Sequence, residues 1–395
     1  MDRPQQPPAR LPATVWILGF VSLLMDLSSE IYHALLPAFL TVTLGLPAAT
    51  LGAIDGIAEA TASFAKLASG RLSDRSRRRK PWIVAGYGIA ALSKPLFPLA
   101  NAAWPVLGAR FADRVGKGIR ASPRDAMIAD ETPPELRGRA YGLRQSLDTV
   151  GATIAPIAAI ALMAALAGDI RLVFWIAAVP AFLSFGLALV ALREPARHRA
   201  DEKELPPFRG FGAINAATRR LIAVGFLFSL ARFSEGFLIL KGMDVGLSAA
   251  MSPIALVAFN LGFGLLAYPA GSWSDRVNPK VILGIGMLTL IAANLILAQA
   301  TSYVALTIGV FVWGGHMAFT QGVFARMIAD SAPTETRATS FGAFHFVTGI
   351  ATLIASVGAG MLWDRYGAEA TFLAGAGAAG ISLVMLALLA RKSGT

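Results

Sequence analysis

Cysteine is absent from this 395-residue chain, which removes disulfides, thiolate metal sites and thiol nucleophiles from consideration. Charge is scarce as well: 15% of residues are Asp, Glu, Lys or Arg, against roughly 25% in soluble proteins. Histidine occurs four times, too thinly for a metal centre, so no metal and no cofactor is expected. No P-loop and no Gly-rich strand-to-helix turn is present, which argues against a nucleotide site. No nucleophile–base pair stands out, so an enzyme is not expected. The Pro-rich, basic start MDRPQQPPARLP lacks a small-residue cleavage site after the first apolar run. It reads as an uncleaved cytoplasmic tail and not a signal peptide.

What the chain has in abundance is apolar length. Hydrophobic residues make up 55% of it, and its mean hydropathy is +0.60. Stretches of about 20 apolar residues are the signature of membrane-crossing helices. Twelve can be counted: 14–42, 50–69, 81–100, 104–127, 138–166 and 171–192, then 219–241, 252–272, 280–300, 302–328, 338–362 and 369–390. The expected class is an all-α integral membrane protein. Its organisation is a six-helix bundle with its N-tail at 1–192, a charged cytoplasmic linker at 193–218 and a second six-helix bundle at 219–395. Basic residues crowd the loop at 70–80, the linker, the 273–280 loop and the C-terminal tail, whereas loops near 43–50, 100–104 and 299–303 carry no Lys or Arg. Basic loops stay cytoplasmic, which puts both termini in the cytoplasm of a cell whose inner membrane holds the protein. The formal net charge of +11 is then largely topology, and nucleic acid is not needed to explain it.

The two halves repeat one another. GRLSDRSRRRK at 70–80 returns as GSWSDRVNPK at 271–280, and MIADETPPELRGRAYG at 127–142 returns as MIADSAPTETRATSFG at 327–342. Self-similarity over so long a period means two copies of one larger unit. A six-plus-six bundle with G-x-L-S-D-R-x-x-R-R-K between spans two and three resembles the major facilitator superfamily. SSEIYHALLPAFL at 28–40 and RQSLDTVGATIAP at 144–156 are similar to a prokaryotic drug-efflux-like subfamily. The resemblance implies a transporter that works by alternating access, usually as a monomer. It also implies gating roles for Gly70, Asp74 and Arg75, and for Asp275 and Arg276 in the weaker second copy. Where the family's antiporter motif has Gly-Pro, this chain has Ala155-Pro156.

Ionisable residues inside a span are costly and usually face a cavity or a partner. Span four carries Arg110, Asp113, Arg114, Lys117, Arg120 and Arg124. At about 100° per residue these fall within roughly 140° of one helix face. Span one carries Asp26 and Glu30 one turn apart, followed by His33; span two carries Asp55, Glu59 and Lys66; span seven Arg232 and Glu235; span ten His316 and Gln321. In the resembled fold, spans one, four, seven and ten surround the central cavity. The expected proton-coupling set is Glu30, ranked first, with Asp26, both opposite Arg114. The expected substrate cavity includes Arg110, Asp113, Lys117, Arg232, Glu235, His316 and Gln321. Arg144 and Asp148, four residues apart in span five, are assigned to gating, with a helix-stabilising pair as the alternative. The function expected is proton-coupled export of a small anionic, zwitterionic or amphiphilic solute. Uptake of organic acids and flipping of lysolipid or lipid are the alternatives.

Overall fold

The computed structural model describes residues 11–76, 78–133, 136–194, 212, 214–274, 277–333 and 337–391. The expected gate residues Asp275 and Arg276 lie outside the described residues, as does most of the 193–218 linker. Gly70, Asp74 and Arg75 fall within a helix, but their side-chain surroundings are likewise outside what is described.

Among these residues the chain is a succession of helices. In the first half they are α1 (Ala13–Ala38), continued by a π-turn at Phe39–Thr43, α2 (Ala48–Ser76), α3 (Lys80–Ser93) with the short α4 (Leu96–Leu99), α5 (Ala103–Glu131), α6 (Arg137–Ala165) and α7 (Ile170–Ala191). In the second half they are α8 (Ala216–Leu230), α9 (Gly236–Asp244), α10 (Ile254–Ser274), α11 (Pro279–Gln299), α12 (Tyr303–Ser331) and α13 (Arg337–Arg391). Since α3 and α4 make one crossing, α8 and α9 another, and α13 two, the result is twelve transmembrane helices in two pseudo-symmetric six-helix bundles. The double crossing of α13 is divided at Gly367, whose φ of 84° is a left-handed conformation that glycine adopts without strain.

Side-chain caps start several helices. The Asp169 carboxylate accepts from the Arg171 and Leu172 amides at the head of α7, and Asn215 accepts from Thr218 at the head of α8. Both supply partners to amides that the helix itself leaves unpaired. In α1, Pro37 precedes the π-turn, where its missing N–H loosens the helical ladder.

Seven helical stretches among the described residues are long and apolar enough to cross a membrane, by length and composition. Neither α2 nor α5 is one of them. Their length suffices, but their charges lower the mean hydropathy. The exceptions to apolarity are therefore the helices that carry the polar interior. Span seven also departs from the continuous helix expected at 219–241, because Ala231–Glu235 is not helical. Ser234 is the cause that can be named: its hydroxyl accepts from the Gly236 amide and donates to Asp55, a side-chain alternative to helical bonding.

The bundles meet along three seams, α2 with α13, α6 with α10, and α1 with α9. The side carrying the α2–α3 and α10–α11 loops is called here the basic-loop side, and the opposite one the far side.

Candidate functional site

Beneath the centre of the molecule lies a layer of buried ion pairs built on the charged face of α5. Arg110 reaches Asp55 of α2, with Nη2 at 3.2 Å and Nε at 3.3 Å from Oδ1. The other Asp55 oxygen accepts from Ser234 Oγ at 2.6 Å, so this carboxylate ties the first bundle to the break in the second. Asp113 accepts from Lys94 Nζ of α3 at 2.9 Å. Lys94 also donates to Ser29 Oγ at 2.9 Å and lies 4.9 Å from the Tyr32 ring centroid. Arg114 contacts Glu59 at 3.6 Å and Asp113 at 3.9 Å. Asp55, Lys94, Arg110, Asp113 and Arg114 are all at most 4% exposed. Burial of this depth is tolerable because each charge has an opposite one in contact; removing one member strands the other.

Above this layer, toward the basic loops, a cavity of about 1680 Å³ opens between the bundles. Its first-half wall is charged: Asp26 and Glu30 of α1, Glu59 and Lys66 of α2, and Lys117 and Arg120 of α5. Arg144 and Asp148 of α6 add an ion pair of 2.6 Å on the same wall. Its second-half wall holds Asn260, Phe263, Gln321, Phe341, His345 and Phe346. The two walls therefore differ in kind, one ionic and one aromatic and amide-bearing.

Of the residues expected from sequence, Asp26, Glu30, Lys117, Gln321, Arg144 and Asp148 line this cavity. Arg110, Asp113 and Arg114 do not. They lie under it, held in the ion-pair layer, because a charge in an apolar interior is drawn to its counter-ion before it is free for a solute. Arg232 and Glu235 sit in and beside the α8–α9 break. His316 is fully buried, its Nδ1 against the Trp313 carbonyl and its ring 4.6 Å from the Trp313 ring, and it faces the second-half core. The expected contact of Glu30 with Arg114 is not formed: Glu30 Oε2 is 3.2 Å from His33 Nδ1, and Arg114 takes Glu59 and Asp113. Asp26 makes no hydrogen bond or ion pair among the described residues.

Asp55, Lys66 and Lys94 belong to this polar interior although helix-face reasoning on α5 alone does not select them. Asp55, Glu59 and Lys66 recur at spacings of four and seven, a face signal in the sequence. Lys94 is a lone cation in an apolar span, which is itself a reason to look for a partner. The aromatic wall carries no such signal, since Phe is common on lipid-facing surfaces as well.

The two ends of the bundle interface are unlike. On the far side, the Asp364 carboxylate of α13 accepts from the Ala48 and Ala49 amides at 2.8 Å each, capping α2 from the other bundle. A Cβ on Gly52 would collide with the Ser356 carbonyl, and one on Gly360 would lie 2.5 Å from Ala49 Cα. Glycine is what allows backbones to come so near. On the basic-loop side, Arg79 donates to Ser73 Oγ at 2.9 Å and lies 3.4 Å from Asp130. The Glu194 carboxylate accepts from the Arg79 and Lys80 amides at 2.5 and 3.0 Å. These contacts stay within the first half.

The family model described as Major Facilitator Superfamily matches residues 18–242 and again residues 221–395. An uncharacterised MFS-type transporter of Methanocaldococcus jannaschii is 30% identical over 383 residues, covering 95% of this chain and 94% of the relative. The multidrug resistance protein MdtH of Photorhabdus laumondii is 26% identical, covering 70% of this chain and 68% of its own length. The 3-(3-hydroxy-phenyl)propionate transporter of Escherichia coli is also 26% identical, with coverages of 70% and 68%. Among solved structures, the nucleoside transporter NupG superposes with a TM-score of 0.79 at 15% identity, over 95% of this chain and 99% of that one. This last likeness concerns the fold.

Proposed function

Since this chain belongs to the Major Facilitator Superfamily and is a membrane transporter of small molecules, we propose that it exports an organic solute by proton-coupled alternating access. The observation that carries the reading is the cavity of about 1680 Å³ between the bundles, reached from the basic-loop side and sealed on the far side. Rocking two halves about such a site is how folds of this kind move their cargo. Basic loops stay cytoplasmic, so the conformation described is the one that loads from the cytoplasm, with both termini on that side of the inner membrane. The protein acts as a monomer, since both walls of the cavity come from one chain. Gly70, Asp74 and Arg75, with Asp275 and Arg276 in the second copy, gate the basic-loop side. Relatives named for multidrug resistance and for an aromatic acid support an organic, partly apolar cargo.

Proton exchange belongs to Asp26 and Glu30, both on the cavity wall, with Arg114 beneath. Taking a proton at Glu30 weakens its contact with His33, whereas taking one at Asp26 disturbs no ion pair. Asp26 is therefore ranked first. The alternative reading is uptake of an organic acid with protons, favoured by the aromatic-acid relative. Proteoliposomes with an imposed pH gradient separate the two. Export by exchange predicts that an outward proton gradient in inside-out vesicles drives accumulation, and that Asp26→Asn abolishes the gradient dependence while counterflow persists. Gradient-driven transport that is unchanged in both Asp26→Asn and Glu30→Gln would remove proton coupling from these residues.

A further inference from the structure

The charged wall of the cavity does not balance once its contacts are paired off. Glu30 has His33 at 3.2 Å, Glu59 has Arg114 at 3.6 Å, Asp125 has Arg124 at 3.2 Å and Asp148 has Arg144 at 2.6 Å. Each of these carboxylates lines the cavity, and each has a basic side chain in contact. Lys66, Lys117 and Arg120 line it too, and among the described residues none of the three has a carboxylate within ion-pair distance. Asp26 is the one lining carboxylate left to set against them.

Arg120 is the informative member. It is 3% exposed, and its guanidinium is held 4.6 Å from the Tyr87 ring centroid, yet Nη1 has no hydrogen-bond partner among the described residues. A buried guanidinium N–H left unpaired is expensive, and the residue that carries it is among those lining the cavity. The α2–α5 packing brings Lys66 to the same place: Ser122 Oγ donates to the Lys66 carbonyl at 3.0 Å, and Ser69 Oγ donates to the Gly118 carbonyl at 2.9 Å. Lys66 and Lys117 thus project from adjoining turns of two tightly packed helices. Opposite them, the described residues of the second-half wall bear no formal charge. Phe346 packs edge-on to Phe64 with centroids 4.9 Å apart, and Phe341 lies 6.4 Å from His345.

We propose that Lys66, Lys117 and Arg120 form a subsite for the carboxylate of an amphipathic aromatic acid, whose ring lies against Phe341 and Phe346. This rests on the transporter reading above and narrows it from an organic solute to an arylalkanoate. The three cations supply charge-assisted donors to the anionic end. The aromatic wall supplies apolar surface to the other end, as small-molecule sites commonly do with few polar groups and much hydrophobic lining.

The test is equilibrium binding to the purified full chain in detergent, with 3-phenylpropionate as probe and no proton gradient. 3-Phenylpropanamide serves as the uncharged control, and propionate as the control without a ring. The proposal expects 3-phenylpropionate to bind at least about tenfold more tightly than either, a typical loss when a charged hydrogen-bonding group is removed. Lys117→Gln and Lys66→Gln, on exposed side chains, should each weaken it about three- to tenfold and bring the acid toward the amide. Phe346→Ala should weaken the acid and the amide alike. Arg120→Lys keeps a cation where Arg120→Gln risks misfolding, and a folded Arg120→Lys variant should bind the acid more weakly. Equal binding of acid and amide, or acid binding indifferent to Lys66, Lys117 and Arg120, overturns the subsite; so does absence of saturable binding up to the solubility limit. Gradient-driven transport of another solute, unaffected in Lys117→Gln, would overturn the subsite while leaving the transporter reading intact. Acid binding that depends on these cations, without any gradient-driven flux, would keep the subsite and overturn the proton coupling.

Discussion

At the far end of the interface, α2 and α13 approach until the Ala48 and Ala49 amides reach Asp364 and Gly52 has no room for a side chain. At the basic-loop end, the same two helices touch through the rings of Phe64 and Phe346, 4.9 Å apart, and a cavity of about 1680 Å³ opens beside them. The far end is sealed by backbone, the other lined by side chains. A backbone seal is thin and all-or-none, because it depends on a few close approaches and a few oriented amides. A side-chain lining tolerates variation and can be shaped to a cargo. The difference locates switching at one end and recognition at the other.

The largest break in this contrast should come from Asp55, which links the ion-pair layer to the far-side seal. Asp55→Ala leaves Arg110 buried without its counter-ion and Ser234 without its acceptor. Losing one member of a buried pair costs about 3–5 kcal/mol, read as a lower thermal unfolding midpoint in detergent. Adding Arg110→Leu should recover part of that loss. A double variant no more stable than the single one would show that the pair does not carry the effect.

Gly52→Val comes next, since its side chain must displace the Ser356 carbonyl. Overpacking of this kind costs about 1–3 kcal/mol, here charged against the closed far side alone. The absence of cysteine from the chain makes the readout direct. Thr149→Cys, on the cavity wall, should react with a membrane-impermeant maleimide from the far side much faster when Gly52→Val is also present. Labelling equal in both backgrounds would mean the seam does not seal.

The smallest effect is expected from Asp364→Ala, which removes a cap from α2 while leaving both bundles otherwise packed. Caps are worth about 0.5–2 kcal/mol. The same labelling assay should show roughly a two- to thirtyfold rise in far-side reactivity, smaller than for Gly52→Val. A rise larger than the glycine variant's would move the weight of closure from shape to hydrogen bonding.

The architecture was legible because it leaves long traces: apolar runs set by bilayer thickness, and a phrase recurring after about 200 residues. The polar interior was legible by helix, since charges such as Asp113 and Lys117 share one face of α5. Their partners were not, because partnership depends on how neighbouring helices are rotated and offset. Setting span one against span four suggested Glu30 with Arg114, whereas α2 lies closer to α5 and Glu59 takes that role. Lys94, a lone cation in an apolar span, is the counter-ion of Asp113. His316 read as a cavity residue and is fully buried against Trp313. The break before α9 was hidden because Ser234 needs Asp55, 179 residues away, to make it worthwhile.

The pairing of α2, α3 and α5 bears on how the protein is made. A single charged residue at the centre of a helix raises the cost of entering the bilayer by about 2.5–3.5 kcal/mol, and α2 and α5 each carry several. Neither is among the stretches apolar enough by composition to cross a membrane, but Asp55 with Arg110, Glu59 with Arg114, and Lys94 with Asp113 cancel one another once the helices meet. The ribosome delivers α2 and α3 before α5. Asp55, Glu59 and Lys94 therefore have no counter-ion until α5 brings Arg110, Arg114 and Asp113.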